Sequence, residues 1–528
     1  MAEDLTSYVL LPMRGLRVDP SGASASLSQL FHHLRAGVKK VDLKSLTKPG
    51  GAEAALRSLS LPTLRLPDDT IRAASDLAMR CLDAVSENGA KLVQLSEEAA
   101  QALRRSQPGM RLAPVLYYRT AEAPLPRVEV QARTSAAGPA VKAKITVLSK
   151  DGKSPFTGLR VIAFTDFAGR AGEEAFTNSN GEAKFSSLKT GEKIERLYVE
   201  PPASGYHGGF KKGLILKADN LVSLLPIDFS LADGVRHYYG GQAKSSDGEG
   251  VKIAVVDTGI DRNHPDLIVK AGACTVTGED PKEWGPLGGP HGTHVAGIIG
   301  GRGKVKGVAP ASEILSYRVF RQQPGVPSAN FAISKAIDQA VQAGCHLINL
   351  SLKHDSEPGD PPLIDDVIRA ALEDARDQGV VVIAATGNDG RQRVSFPALD
   401  AASIAVSALG RKGTYPAGSQ GPADEMAPYS KDKKTFVAAF SNIGPEVDVI
   451  APGVEIISTV PGGYAPMSGT SMATPAVTGL AARLLSRNPS IRDMDAGPER
   501  ADAITRMVLA SCQSLGFRAQ FQGDGIPL

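Results

Sequence analysis

Three residue types, far apart along the chain, could together activate a hydroxyl: Asp257, His291 and Ser471. A serine hydroxyl is a weak nucleophile until a neighbouring imidazole takes its proton. The imidazole in turn needs a carboxylate to fix its tautomer and stabilise its charged form. Asp257 ends the stretch VKIAVVD and precedes Thr258-Gly259, His291 opens HGTHVAGIIG, and Ser471 sits in GTSMATP. Beyond the serine, Ala473, Ala476, Val477, Leu480, Ala481, Leu484 and Leu485 follow a helical apolar period, with Pro475 tolerated in a first turn. Ser471 therefore falls at a helix N-terminus, where free N–H groups favour developing negative charge. Singly, each residue has an ordinary reading: Asp257 as a turn residue, Ser471 as a helix cap, Asn388 before Asp389-Gly390 as a turn former. Only their joint placement argues for chemistry.

That placement needs a scaffold, and the C-terminal half supplies one. VKIAVV, HLINLS and VVVIAA read as continuous apolar strands. Phe331 to Ala343 and Leu363 to Gln378 are amphipathic helices ahead of the second and third, with Gly344 and Gly379 where C-terminal glycine caps belong. Apolar strands separated by helices imply an α/β fold, a parallel sheet with both faces covered. Such sheets carry ligands at the carboxyl ends of their strands, where Asp257 stands.

With these residues in place, the stretches VVDTGIDRNHPDL, HGTHVAGIIG, KGVAPASEI, INLSL, VIAATGN and SGTSMATPA resemble, in order, the subtilisin-like serine proteases, or subtilases. The resemblance covers about residues 251 to 485 and implies a serine endopeptidase working through an acyl-enzyme. It implies Asp257 as the orienting carboxylate, His291 as general base, Ser471 as nucleophile and Asn388 as the oxyanion-hole side chain. Ser351-Leu352 and Ala384-Ala385-Thr386-Gly387 match the segments flanking the pocket for the residue before the cleaved bond. Tyr317 to Gln322 matches the other substrate-binding edge. The substrate would be an extended protein or peptide paired through its backbone.

The chain departs from the family where Lys353-His354 replace a usual glycine pair. It departs again after Asn388, where DGRQRVSFP is short and carries Arg391 and Arg393, which would favour an acidic substrate side chain if they reached the pocket. Arg411 to Phe436 reads as an inserted polar surface loop. No cofactor is required. His-x-x-His at His291 and His294 lacks the four-residue spacing of helical zinc pairs, so His294 reads as a packed helix histidine. Asp266 matches a residue that binds calcium in some family members, which makes calcium possible, but the short glycine-rich run GGRGKVKG offers no carboxylate, and a structural turn is expected there.

Upstream, RTAEAPLPRVEVQARTSAAGPA (Arg119 to Ala140) and GGQAKSSDGEG (Gly240 to Gly250) read as joints. They predict an α+β unit at 1–118, a linker at 119–140, a β-sandwich at 141–230, a linker at 231–250 and the protease domain at 251–528. In the first unit KLVQL reads as a strand and SEEAAQALRRS as a helix capped by Ser96. MRLAPVLYY reads as a closing strand, and an earlier helix spans Thr70 to Val85. That unit resembles, less specifically, the ferredoxin-like prodomains of the family. This implies a zymogen with its own N-terminal part as partner and inhibitor, cut soon after Tyr118 or near the joint before Val251. The sandwich is read from alternating strands and the hairpin signal Asn180-Gly181.

At 528 residues the chain exceeds one core, and a prior of about 150 residues per domain gives three or four. Its net charge of +3 argues for neither nucleic acid nor a membrane surface. The short, Pro-broken apolar run at the start is not a secretory signal, and four dispersed cysteines suit a reducing compartment, so a cytoplasmic location is expected. Two other readings compete: a protease-like module that captures peptide without turnover, and an esterase. The esterase reading lacks a G-x-S-x-G elbow and the Ser, Asp, His order.

Overall fold

The strand Lys252–Asp257 is apolar on both sides, and its neighbours explain why. In the computed structural model, which describes residues 5–11, 41–42, 78–86, 89–106, 111–131, 141–355 and 363–528, it lies inside a sheet ordered Val269–Cys274, Glu313–Arg318, Lys252–Asp257, Leu347–Leu350, Val381–Ala385, Ser403–Arg411, Thr435–Val437. Neighbouring pairs are parallel except the last, and Val449–Pro452 adds a further parallel partner to Ser403–Arg411. Alternate side chains serve opposite faces. Ile253 and Val255 pack with Val295, Ile299, Ala476 and Leu480 from the helices His291–Gly300 and Thr470–Ser486. Ala254 and Val256 pack with Ile333, Ile337, Ile368 and Leu372 from Asn330–Gln342 and Asp366–Asp377. This is the α/β arrangement expected, with the carboxyl ends of Lys252–Asp257, Leu347–Leu350 and Val381–Ala385 side by side.

Upstream, Ala78–Ala84, Lys91–Leu95, Thr6–Leu11 and Arg111–Pro114 form successive antiparallel neighbours in a second sheet, crossed by the helix Glu97–Ser106. Ser96 caps that helix, its hydroxyl accepting from Ala99 N at 3.2 Å. One sheet face buries Tyr8, Leu10, Val93 and Leu95 against the helix; the other sets Val9, Leu11 and Ala113 on Phe331 and Val367 of the two helices below. The helix expected from Thr70 to Val85 is not found in its described part: residues 78–84 are a strand, with Cys81 opposite Val93 and Arg80 outside. Pairing with Lys91–Leu95 overrode a local helical period. The earlier portion lies outside the described residues.

Residues 142–224, joined by the strand Val130–Gln131, build two further sheets, of five and three strands, that face each other across Ile145, Val147, Val161, Ala163, Leu197, Val199 and Val222. The joints around this unit are not free. Within 119–140, Tyr117–Thr120 and Val130–Gln131 are strands paired to other parts of the chain. Within 231–250, the helix Gly234–Tyr239 buries Val235 and Tyr239 in the α/β core. The polar insertion is not a free loop either: Thr414, Tyr415, Ser419 and Gly421 are buried, and Gln420 Nε2 donates to Val199 O at 2.8 Å. Part of the insertion is thereby held against the two-sheet unit, and Tyr415 OH is satisfied within it by Glu425 at 2.9 Å.

Candidate active site

Asp257 and His291 meet where a strand ends and a helix begins. Asp257 is 1% exposed; its carboxylate accepts Thr258 N at 2.7 Å and stands 2.8 and 3.0 Å from His291 Nδ1. Burial opposes charging His291, but the charge of Asp257 and its hydrogen bond outweigh it, so the imidazole pKa lies above its ordinary value. Nε2 of His291 is buried and has no hydrogen-bond partner among the described residues.

Ser471 is the second residue of its helix. Its hydroxyl donates to Ser351 O at 2.9 Å, and Ser351 Oγ donates back to Ser471 O at 2.9 Å. The second bond has a covalent cause. Pro475 lies inside the helix rather than in its first turn, and having no N–H it leaves the carbonyl four residues earlier, that of Ser471, unpaired. Asn388 follows the strand Val381–Ala385, and its Oδ1 accepts Thr470 N at 2.9 Å and Thr470 Oγ1 at 3.0 Å. In the buried run Ala384, Ala385, Thr386, Gly387, Gly387 N donates to Thr470 Oγ1 of the serine helix at 3.2 Å, and Thr386 Oγ1 donates to Asn442 O at 3.3 Å.

The cleft between these elements is filled by the chain itself. Tyr117–Thr120 runs antiparallel between two edges, with Thr120, Arg119 and Tyr118 opposite Leu352, Lys353 and His354, and with Tyr118 and Tyr117 opposite Ser328 and Ala329. Ala121 N donates to Ser351 O at 3.0 Å. Ala121 O accepts from two groups at once, Ser471 N at 2.9 Å and Asn388 Nδ2. Ala123 N donates to Ser468 O at 2.8 Å. Gly469, at φ +152°, backs the same peptide: a Cβ there would stand 2.6 Å from Ala121 O and 3.0 Å from Glu122 Cα, so no side chain fits. A tetrahedral centre at the Ala121 carbonyl would have its oxygen between two N–H donors and its carbon beside the serine.

Some expected residues lie elsewhere. Ser328–Ala329 carries the second edge rather than Tyr317 to Gln322: Tyr317 and Arg318 belong to the central sheet, and Arg318 is spent on Glu279 at 2.6 Å. Arg391 turns from the pocket, donating to Val437 O at 2.8 Å with its guanidinium over Phe521, so it offers no charge to substrate. Arg393 is exposed. Lys353 pairs with Asp389 at 2.7 Å, and the His354 ring meets Tyr118 edge-on at 5.6 Å. Two contributors were missed from the sequence. Asp365, signalled only as a helix cap, accepts the Tyr118 phenol at 2.8 Å, and Ser468 adjoins the GTS motif.

His294 is fully buried in its helix. Its Nε2 is 3.0 Å from Ile456 O and from Ala465 O, and burial, then the charge of His291, lowers its pKa to about 3. Asp266 Oδ2 accepts Val305 N at 2.9 Å, and among the described residues no group of three His, Cys, Asp or Glu side chains is disposed for a metal. Asp266 supplies one carboxylate toward the six to eight oxygens that calcium takes. No described helix is long and apolar enough to cross a membrane.

The subtilase family profile matches residues 248–515. The chain is 38% identical to M-protease of Shouchella clausii (strain KSM-K16) over 247 residues, 46% of this chain and 56% of that protein. It is 37% identical to Subtilisin BL of Lederbergia lenta over 247 residues, 46% of this chain and 79% of that one. It is also 37% identical to Subtilisin E of Bacillus subtilis (strain 168) over 253 residues, 46% and 57% of the two chains. A carboxylate-held imidazole, a serine at a helix N-terminus and this extent of matched sequence have one reading: the chain belongs to the subtilase family, and its α/β half is that of a subtilisin-like serine endopeptidase.

Proposed function

We propose that the chain is made as a zymogen and that its first substrate is its own Ala121–Glu122 bond. The observation that carries this is the convergence of Ser471 N and Asn388 Nδ2 on Ala121 O. In this reading the Ser471 hydroxyl turns from Ser351 O to the Ala121 carbonyl carbon while His291 Nε2, held by Asp257, takes its proton. Negative charge builds on Ala121 O between the two donors. His291 then gives the proton to the nitrogen of Glu122, the C–N bond breaks, and the acyl group stays on Ser471. Water, deprotonated by the same imidazole, releases it. Other polypeptides would follow through the same cleft.

The part up to residue 121 is then a prodomain, whose ferredoxin-like sheet rests on the helices Asn330–Gln342 and Asp366–Asp377 and whose tail fills the non-primed cleft. The two-sheet unit, a β-sandwich, stays with the protease. The alternative cut before Val251 has less support: Asp247 is 2% exposed and paired with Arg483 and Arg487 at 3.2 and 2.9 Å, away from the catalytic serine's partners. Mass spectrometry of the purified chain tests the proposal. The wild type is expected to yield a new N-terminus at Glu122, and Ser471→Ala to remain uncut. A wild-type N-terminus elsewhere, or processing that survives Ser471→Ala, would refute it.

A further inference from the structure

The outer face of the five-stranded sheet in the two-sheet unit also carries an apolar cluster. Ile162, Phe164, Tyr198 and Phe210 lie there, each less than a tenth exposed, with Phe164 and Phe167 edge-on at 5.1 Å and Tyr198 and Phe210 at 5.0 Å. A sheet with one solvated face would carry polar residues on this side. The insertion covers part of this face, with Ala423 packed on the cluster and Phe210 N donating to Gly418 O at 3.1 Å, and the chain just beyond the candidate cut covers another part. Leu125 and Val128 pack on the cluster, four and seven residues after Ala121. The backbone follows: Val128 N donates to Glu174 Oε1 at 2.9 Å, Glu129 N to Arg170 O at 3.0 Å, and Val130–Gln131 pairs in parallel with Ala171 and Gly172. The polypeptide thus leaves the cleft at Ala123, held by Ser468 O, and passes directly onto this sheet.

We infer that this aromatic face is an extension of the cleft on the leaving side, seating the downstream part of a polypeptide substrate with apolar residues four and seven positions past the cleaved bond. The inference rests on the protease reading above. Its support is the continuity of one extended segment through both surfaces and the match between spacing and rings. Here the rings are buried under an extended segment of the chain itself, so the face already seats polypeptide, and addition of a strand to a sheet edge supplies affinity independent of sequence. After the cut, the new N-terminal tail is the seat's resident occupant, and a substrate displaces it. The enzyme is thereby matched to long chains rather than short peptides.

The test compares peptides sharing Tyr-Arg-Thr-Ala before the bond: a short one ending two residues after it, a long one with Leu and Val at the fourth and seventh downstream positions, and a long one with Ser at both. On the processed enzyme, kcat/KM for the Leu/Val peptide is expected to exceed that for the Ser/Ser peptide about tenfold, mainly through KM. The ratio is expected to fall toward one in Phe167→Ser and Phe210→Ser. In the double variant Leu125→Ser/Val128→Ser, whose tail competes less, the ratio is expected to hold or rise. A ratio near one in both the wild type and the double variant, or one untouched by both ring substitutions, overturns the inference while cleavage of the short peptide upholds the protease reading. Failure of every peptide, the short one included, overturns both.

Discussion

Asn388 does two jobs with one amide: Oδ1 is fixed by Thr470 and Nδ2 is aimed at Ala121 O. Asn388→Ala removes a donor that matters most when the oxygen is negative. Conversion of the chain should slow by about 10² to 10³, the magnitude known for this donor in subtilisin, a relative of this protein. A time course of processing on gels measures it. The imidazole sets the pH dependence. Only neutral His291 can accept a proton, so kcat/KM falls as pH drops through its pKa, and because that pKa is raised the midpoint should lie above the ordinary 6.5. Asp257→Asn removes the raising charge, so the limb should move to lower pH while kcat falls by about 10⁴. A wild-type midpoint below that of the variant would contradict the assignment. Specificity is legible at Tyr118, fully buried with its phenol on Asp365. A site that accepts a hydroxyl proton rejects the analogue lacking it, so peptides with Phe at the fourth residue before the bond should be cut roughly ten- to a hundredfold less efficiently than Tyr peptides. Equal kcat/KM for the two would remove the role of Asp365.

At the scale of elements, the sequence carried most where hydrogen bonding is local or side chains are buried on both faces. The strand before Asp257, both helices under the N-terminal sheet and their terminal glycines, Gly344 at φ +71° and Gly379 at φ +75°, follow from apolar period and backbone freedom. The serine helix was legible for the same reason, but not the position of Pro475 within it, nor its consequence for the Ser351–Ser471 pair. Least legible was Arg119 to Ala140. Its Pro- and Ala-rich composition encodes no ladder, because Lys353 and Leu352, the partners of Arg119 and Thr120, lie more than two hundred residues away. Nothing local could have told a linker from a strand paired at both edges of the cleft. The hold of the N-terminal sheet on its two helices is equally non-local and gives a prediction of its own. Phe331 inserts among Val9, Leu11, Leu92 and Ala113, and Lys335 pairs with Asp83 at 2.8 Å. Phe331→Ser should weaken that contact by about 2–4 kcal/mol. Progress curves of peptide hydrolysis started from freshly folded chain should then lose most of their lag, whereas an unchanged lag would place the inhibitory contact elsewhere.

Across the whole molecule, the two-sheet unit is joined to the α/β body through buried polar groups rather than a flexible tether. His207 Nδ1 lies 2.6 Å from Glu455 Oε2, and Glu455 Oε1 accepts Gln420 N at 3.0 Å. Glu455 sits at φ +52°, a conformation uncommon for a side-chain-bearing residue, and its N–H is bonded to Ser468 Oγ at 3.0 Å. Ser468 is also the residue whose carbonyl holds Ala123, so the joint and the leaving side of the cleft share one short stretch of backbone. A joint of this kind should respond to pH through Asp424, in the insertion. Burial raises its pKa to about 8, the charge of Glu455 adds to the shift, and Arg196 opposes it. The sign follows from linkage: a carboxyl whose folded pKa is raised contributes stability that is complete below its ordinary value near 3.8 and is lost as pH rises through about 8. Asp424→Asn keeps a neutral group at every pH and so escapes that loss. Its melting temperature should therefore exceed the wild type's by a margin that widens between pH 5 and pH 9, toward a difference of the order of 1 kcal/mol or more at the alkaline end. Thermal unfolding of Ser471→Ala and of Ser471→Ala/Asp424→Asn at the two pH values measures this without interference from self-digestion. A margin that narrows with rising pH would show that Asp424 is ionised in the folded joint and that the contact is held by its charge.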